Sequence, residues 1–240
     1  MKQYLFHIPH SSTFIPNEFK SDYLISNEEL QNNIFEYADL FTDELFEISN
    51  QYNSMINPYS RLFFDPERFG DDNIEPMQEK YGLGWFYENC ILENKPLRNK
   101  TTKNEIRKFF DEYHKKLNQL TSNILKVHKE VTVVDCHSYS DREYWFLKDI
   151  KRPDICIGFE SFHADLDLVK RIQEEFSNYS IGINNPYAGS LVPTNYWQKE
   201  SRVKSVMIEI NKRLYLEEDN ITKNSNFNNL KSQLNNIFKK

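Results

Sequence analysis

The sequence predicts an α/β fold: a three-layer sandwich with a mixed, largely parallel central sheet flanked by helices. Three observations carry this. Short apolar runs in "VTVV" (131–134), "DICIGFE" (154–160) and "VKSVMIEI" (203–210) read as buried strands. Stretches of helical apolar spacing alternate with them, which is the α/β pattern. Polar residues stand at the tips of the apolar strands, where an open α/β sheet gathers its ligands.

Taken in order, Tyr4, Leu5, Phe6 and Ile8 form a first strand ended by Pro9. A helical region opens near Asn27, with Leu30, Ile34, Tyr37, Phe41, Leu45 and Ile48 at helical spacing. Asp39, Thr42, Asp43 and Glu44 look like an acidic first turn and predict two helices with a break near Asp39. "SMINPYSRLFFD" (54–65) is a second extended piece. Residues 66–101, with Pro66, Pro76, Pro96 and three Gly, form a long irregular excursion of the kind that often carries function. Thr102 and Glu105 read as a capping box for a long helix with the stripe Ile106, Phe110, Tyr113, Leu117, Leu120, Ile124, Val127. A helix over about Ala164 to Phe176 leads to a short strand, Ser180 to Asn184. A closing helix carries Phe227, Leu230, Leu234 and Ile237.

At 240 residues, 39% hydrophobic and 15% aromatic, the chain reads as a single domain over 1–240 with a substantial core. The net charge of −6, without a basic run, predicts no nucleic-acid partner. A glycine-rich phosphate loop is absent from the sequence. Three widely spaced Cys argue for a reducing compartment rather than a disulfide framework. No signal-like or membrane-spanning run is expected, which makes the cytoplasm the default location and excludes a membrane partner. Oligomeric state is left open.

The strand tips gather His7, His10, Asp135, His137 and Glu209. Zinc takes neutral imidazole and carboxylate oxygen, and a catalytic site uses three protein ligands with an open fourth position. Such a site also needs a carboxylate to take a proton from water and return it to a leaving nitrogen. A nucleophilic Cys136 fits less well, since alternation puts it on the face opposite Asp135 and His137. Glu209 inside "VMIEI" is costly to bury unless functional or paired with an Arg. Arg61 and Arg68 offer planar forks for carboxylates; the plain alternative is an Arg61–Asp65 pair on a surface strand.

Six segments, in order, resemble the N-formylglutamate amidohydrolase family: "IPHSSTFIP", "ADLFTDELF", "SRLFFDPER", "DCHSYS", "NNPYAGS" and "IEINKRLYLEE". They run from about Leu5 to Glu218, and "DCHSYS" is also similar to the strand-end segment of zinc carboxypeptidases. The resemblance implies a zinc exopeptidase-like fold and one zinc ion per chain, held by His10, His137 and a third ligand. Asp39 is favoured for that third position, with Asp135 and His7 as alternatives; Asp39 also suits a helix N-cap. It further implies Glu209 as general base and then proton donor, and Arg61 as a catalytic and substrate-binding group. Arg68, Asn185, Tyr187, Gly189 and His114 fall on the substrate side. Asn185-Pro186-Tyr187 equally suits an ordinary turn, and His114 equally suits packing. Lys212 stands where the family more often has Arg.

The activity this implies is zinc-dependent hydrolysis of N-formyl-L-glutamate, or a similar small N-acyl acidic amino acid, to formate or acid and the free amino acid. Two rivals stay open: a zinc carboxypeptidase or other N-acyl amino acid deacylase, and a non-catalytic metal- or carboxylate-binding protein on the same fold.

Overall fold

The computed structural model describes residues 3–71, 74, 80–148 and 151–239; Pro76 of the irregular excursion lies outside them. In chain order the elements are β1 (Tyr4–Ile8), α1 (Asn27–Tyr37), α2 (Thr42–Leu45), β2 (Asn53–Ile56), α3 (Lys103–Val127), β3 (Val131–Tyr139), β4 (Ile155–Gly158), α4 (Leu166–Glu175), β5 (Ile181–Ile183), β6 (Val203–Asn211) and α5 (Phe227–Phe238), with short 3-10 turns between them. One sheet has the order β2-β1-β3-β6-β4-β5. The first four strands in that order are parallel, β4 runs against β6, and β5 is parallel to β4. The sheet is mixed and mostly parallel, as expected.

Side-chain alternation along the strands builds the two cores. Leu5, Val131, Val133 and Val203 face one side, where Ile106, Phe110, Tyr113 and Leu117 of α3 cover them together with Phe63 and with Trp85 and Tyr87 of the excursion. Tyr4, Phe6, Val134, Cys136, Val206 and Ile208 face the other side, against Leu168 and Ile172 of α4 and Leu230 and Leu234 of α5. All nine residues of β3 are buried, as befits a central parallel strand covered on both faces.

Two local expectations need correction. Thr102 does not cap α3: its hydroxyl donates to the Asp22 carboxylate, and no side-chain cap bond forms there. The capping box sits instead on α1, where Ser26 accepts from the Glu29 N–H and Glu29 from the Ser26 N–H. At the far end of α3, Val127 is the last helical residue and is exposed; Thr121 joins the buried stripe, its hydroxyl bonded to the Leu117 carbonyl.

Candidate active site

Alternation along β1, β3 and β6 puts His7, Asp135, His137 and Glu209 on the same face as Leu5 and Val133. The parallel register sets His7 beside Asp135 and His137 beside Glu209. Neighbouring strands lie about 4.8 Å apart, so two adjacent strand ends carry an imidazole and a carboxylate shoulder to shoulder. His10 follows β1 past Pro9. Its carbonyl accepts from the Asp39 N–H at 2.9 Å, tying the strand end to the corner between α1 and α2. Phe41 turns that corner in the left-handed region (φ 64°), a conformation uncommon for a large side chain. Asp39 is no N-cap side chain: its carbonyl accepts from the Thr42 hydroxyl, and its carboxylate turns toward the imidazoles.

The three groups meet closely. Asp39 Oδ2 lies 3.1 Å from His137 Nδ1 and 3.5 Å from His10 Nδ1, and the donor atoms of all three residues fall within 4.8 Å of one another. In a tetrahedral zinc site with bonds of about 2.0–2.1 Å, ligand atoms are roughly 3.3 Å apart, so the spacing suits such an ion. His10 Nδ1 is buried and makes no hydrogen bond. The outer nitrogens are held by carboxylates: His10 Nε2 by Asp65 at 2.7 Å and His137 Nε2 by Asp135 at 3.0 Å. Carboxylate–histidine pairs of this kind fix the tautomer and orientation of metal-binding imidazoles. Burial alone would raise the Asp39 carboxyl, but the adjoining His10 and His137 imidazoles hold it well below the usual carboxylate range.

The alternative ligands His7 and Asp135 stand one layer behind. His7 Nδ1 contacts Asp135 Oδ1 at 2.9 Å and Glu67 Oε1 at 3.0 Å, and its Nε2 meets the Tyr113 hydroxyl at 2.7 Å. These three acid and imidazole groups also cluster closely enough to hold an ion. Asp135, however, is engaged with both imidazoles, and its Oδ2 accepts from the Leu191 N–H.

Glu209 is 9% exposed, and its Oε2 has no hydrogen-bond partner. Burial pushes its pKa up to about 8. Arg61 donates from Nη2 to Asp65 at 2.8 Å and lies 4.1 Å above the Tyr37 ring, while its Nε is buried without a partner. The Arg61–Asp65 pair anticipated on a surface strand therefore exists, but in a buried turn beside the imidazoles. Asp65 is the hub of that turn, accepting also from the Tyr87 hydroxyl and the Glu67 N–H. Arg68 Nε lies 3.8 Å from the same carboxylate.

These groups open onto a cavity of about 710 Å³ whose wall includes His10, Asp39, His137, Glu209, Arg61, Arg68, His114, Tyr187 and Gly189. Burial lowers the His114 imidazole to about 4, which keeps it neutral. Asn185 is exposed and stands outside this wall. Gly189 adopts φ 82°, and a side chain on Gly158 would come within 2.2 Å of the Gly189 carbonyl, so the loop carrying Tyr187 packs directly on β4. Sequence reasoning missed Glu36, Tyr37, Glu67 and Tyr144 in the cavity wall. Glu67 carried a signal, being an acid inside the "SRLFFDPER" segment; the aromatic residues carried none beyond their abundance.

The sequence model for N-formylglutamate amidohydrolase matches residues 2–216. The crystal structure of N-formylglutamate amidohydrolase from Ralstonia eutropha JMP134 is similar at a TM-score of 0.76 and 20% identity, covering 99% of this chain and 92% of that one. A gene product of Agrobacterium tumefaciens is similar at 0.64 and 15% identity, covering 98% and 90%. No curated protein sequence matches the chain. At these identities the two structures establish the shared fold, and the match over residues 2–216 establishes the family. The chain belongs to the N-formylglutamate amidohydrolase family, a family of hydrolases.

Proposed function

We propose that the chain hydrolyses the amide of an N-acyl acidic amino acid, N-formyl-L-glutamate in the first instance, using one zinc ion held by His10, Asp39 and His137. The observation that carries this reading is the meeting of those three donors with Glu209 and Arg61 at one cavity wall. Zinc in such a site polarises a carbonyl and lowers the pKa of water toward about 7.

The chain's own residues supply the rest. Glu209, beside His137, takes a proton from the attacking water as the new C–O bond forms on the acyl carbon. It returns that proton to the amine nitrogen as the C–N bond breaks, leaving formate and the amino acid. Arg61, fixed by Asp65 and Tyr37, presents its buried Nε–H toward the charge that develops on the acyl oxygen. Arg68, His114, Tyr187 and Gly189 bound the space for the rest of the substrate, and Asn185 shapes the turn that carries Tyr187.

The aromatic wall of Tyr37, Tyr81, Tyr144 and Phe146 favours a second reading with the same chemistry and a bulkier acyl group or amino acid. Formate release from N-formylglutamate by the zinc-loaded protein, set beside a panel of longer N-acyl amino acids and blocked dipeptides, decides between them. No formate across neutral pH removes the first reading, and no product from any of these amides removes both.

A further inference from the structure

We propose that Lys212 receives a carboxylate of the substrate, an inference that rests on the hydrolytic reading above and names the anion subsite it needs. Lys212 follows β6 directly, three residues after Glu209, and opens a 3-10 turn. The turn is pinned on both sides: Asn211 donates to Asp141 at 2.8 Å, and the Tyr215 hydroxyl donates to the Leu40 carbonyl at 2.9 Å and shares a hydrogen bond with the Ser138 hydroxyl at 2.8 Å. The side chain between these anchors is 2% exposed and contributes to the cavity wall with Glu209 and Arg61.

Its ammonium makes a single hydrogen bond among the described residues, to the Glu36 main-chain carbonyl at 2.9 Å. Among the described residues no carboxylate lies in ion-pair contact with it. The Glu36 carboxylate is turned away, accepting from Ser140 at 3.0 Å, Tyr144 at 3.0 Å and Arg142 at 3.1 Å. A buried ammonium held only by a carbonyl is costly in a resting protein. Three donors and one partner leave room for an anion arriving from the cavity. Arg61 differs, because its Nη2 already donates to the Asp65 carboxylate and its Nε–H is assigned to the acyl oxygen. An ammonium is a compact point charge, suited to one carboxylate oxygen rather than a bidentate clamp.

The test is steady-state kinetics of the zinc-loaded wild type, Lys212→Met and Lys212→Arg on N-formylglutamate, N-formylglutamine and N-formylisoglutamine. A charge-assisted bond made equally in ground and transition states moves KM and spares kcat. Lys212→Met should therefore raise KM for N-formylglutamate about 10- to 100-fold with kcat nearly unchanged, and Lys212→Arg should restore most of it. The amide that lacks the carboxylate received by Lys212 should lose nothing further in Lys212→Met, which identifies which of the two carboxylates binds there. A KM for N-formylglutamate unchanged by Lys212→Met, or an equal loss on all three substrates, overturns the proposal. If Met at 212 prevents folding, Lys212→Gln is read by the same criteria. Should the wild type hydrolyse none of the three, the N-formylglutamate reading fails on its own. Calorimetric titration of glutarate then judges the subsite: weaker binding to Lys212→Met upholds it, and equal binding overturns it.

Discussion

A carboxylate in the middle of "VMIEI" is the residue whose chemistry is most exposed to test. Glu209 is buried, its Oε2 is unpaired, and its neighbour across the strand is His137 rather than an arginine. The structural alternative, an Arg partner that explains its burial, is not what the described residues show: no ion pair involves it. A general acid–base group contributes about 10²- to 10⁴-fold. Glu209→Gln should therefore cut kcat by that order while zinc content by elemental analysis stays at the wild-type level. A variant that keeps full activity, or that loses its metal, assigns Glu209 a different role. At this scale the sequence was informative wherever a polar residue interrupted an apolar strand, as at His7, Asp135, His137 and Glu209. It was silent about Glu36, whose neighbours in sequence make it an ordinary helical acid. Only the fold brings it under Ser140 and Tyr144.

At the level of elements, periodicity located every strand and helix that frames the site, because each has a buried face and a period of 2 or 3.6 to show for it. It failed where a local motif had two homes. Thr102 with Glu105 and Ser26 with Glu29 both spell a capping box; the Ser26 box forms, whereas Asp22, distant in sequence from Thr102, captures the Thr102 hydroxyl. The same long-range dependence governs the contact of α3 with the sheet, where Tyr113 meets His7 and His7 meets Asp135. Burial alone would lower the His7 imidazole, but the Asp135 and Glu67 carboxylates outweigh it and hold the group up to about 9. Between its ordinary value near 6.5 and that raised value, the folded chain binds more protons than the unfolded one, so stability falls as pH rises. The His7 contribution, on the order of 3 kcal/mol, should be complete below pH 6.5 and lost through about pH 9. Denaturant titrations from pH 6 to pH 10 should show that decline in the wild type and a flatter profile in His7→Gln. Parallel profiles assign the decline to other groups.

Over the whole molecule, two apolar cores hold the sheet from both sides, while the buried His7, Asp135, His137 and Glu209 stand toward the C-terminal ends of β1, β3 and β6. The imidazole–carboxylate group that the fold creates is poised to gain from a metal. An ion bound only by the folded state adds stability by mass action, about 2.7 kcal/mol at a hundredfold excess over its Kd. For a chain of this size each kcal/mol moves Tm by roughly 2–4 °C. Zinc should therefore raise the melting temperature of chelator-treated protein by about 5–10 °C. Asp135, which orients His137 from behind, sets the scale of a more discriminating comparison. Replacing such a partner weakens metal binding about 10- to 100-fold. Asp135→Asn, which also takes the partner from His7, should lower the metal-free melting temperature and in addition shrink the zinc-induced increment at a fixed zinc concentration. Calorimetric scans with chelator and with graded zinc read both quantities together. Equal increments in wild type and Asp135→Asn would mean that the ion is not held through His137, and the assignment of His10, Asp39 and His137 as a common metal group would fall with it.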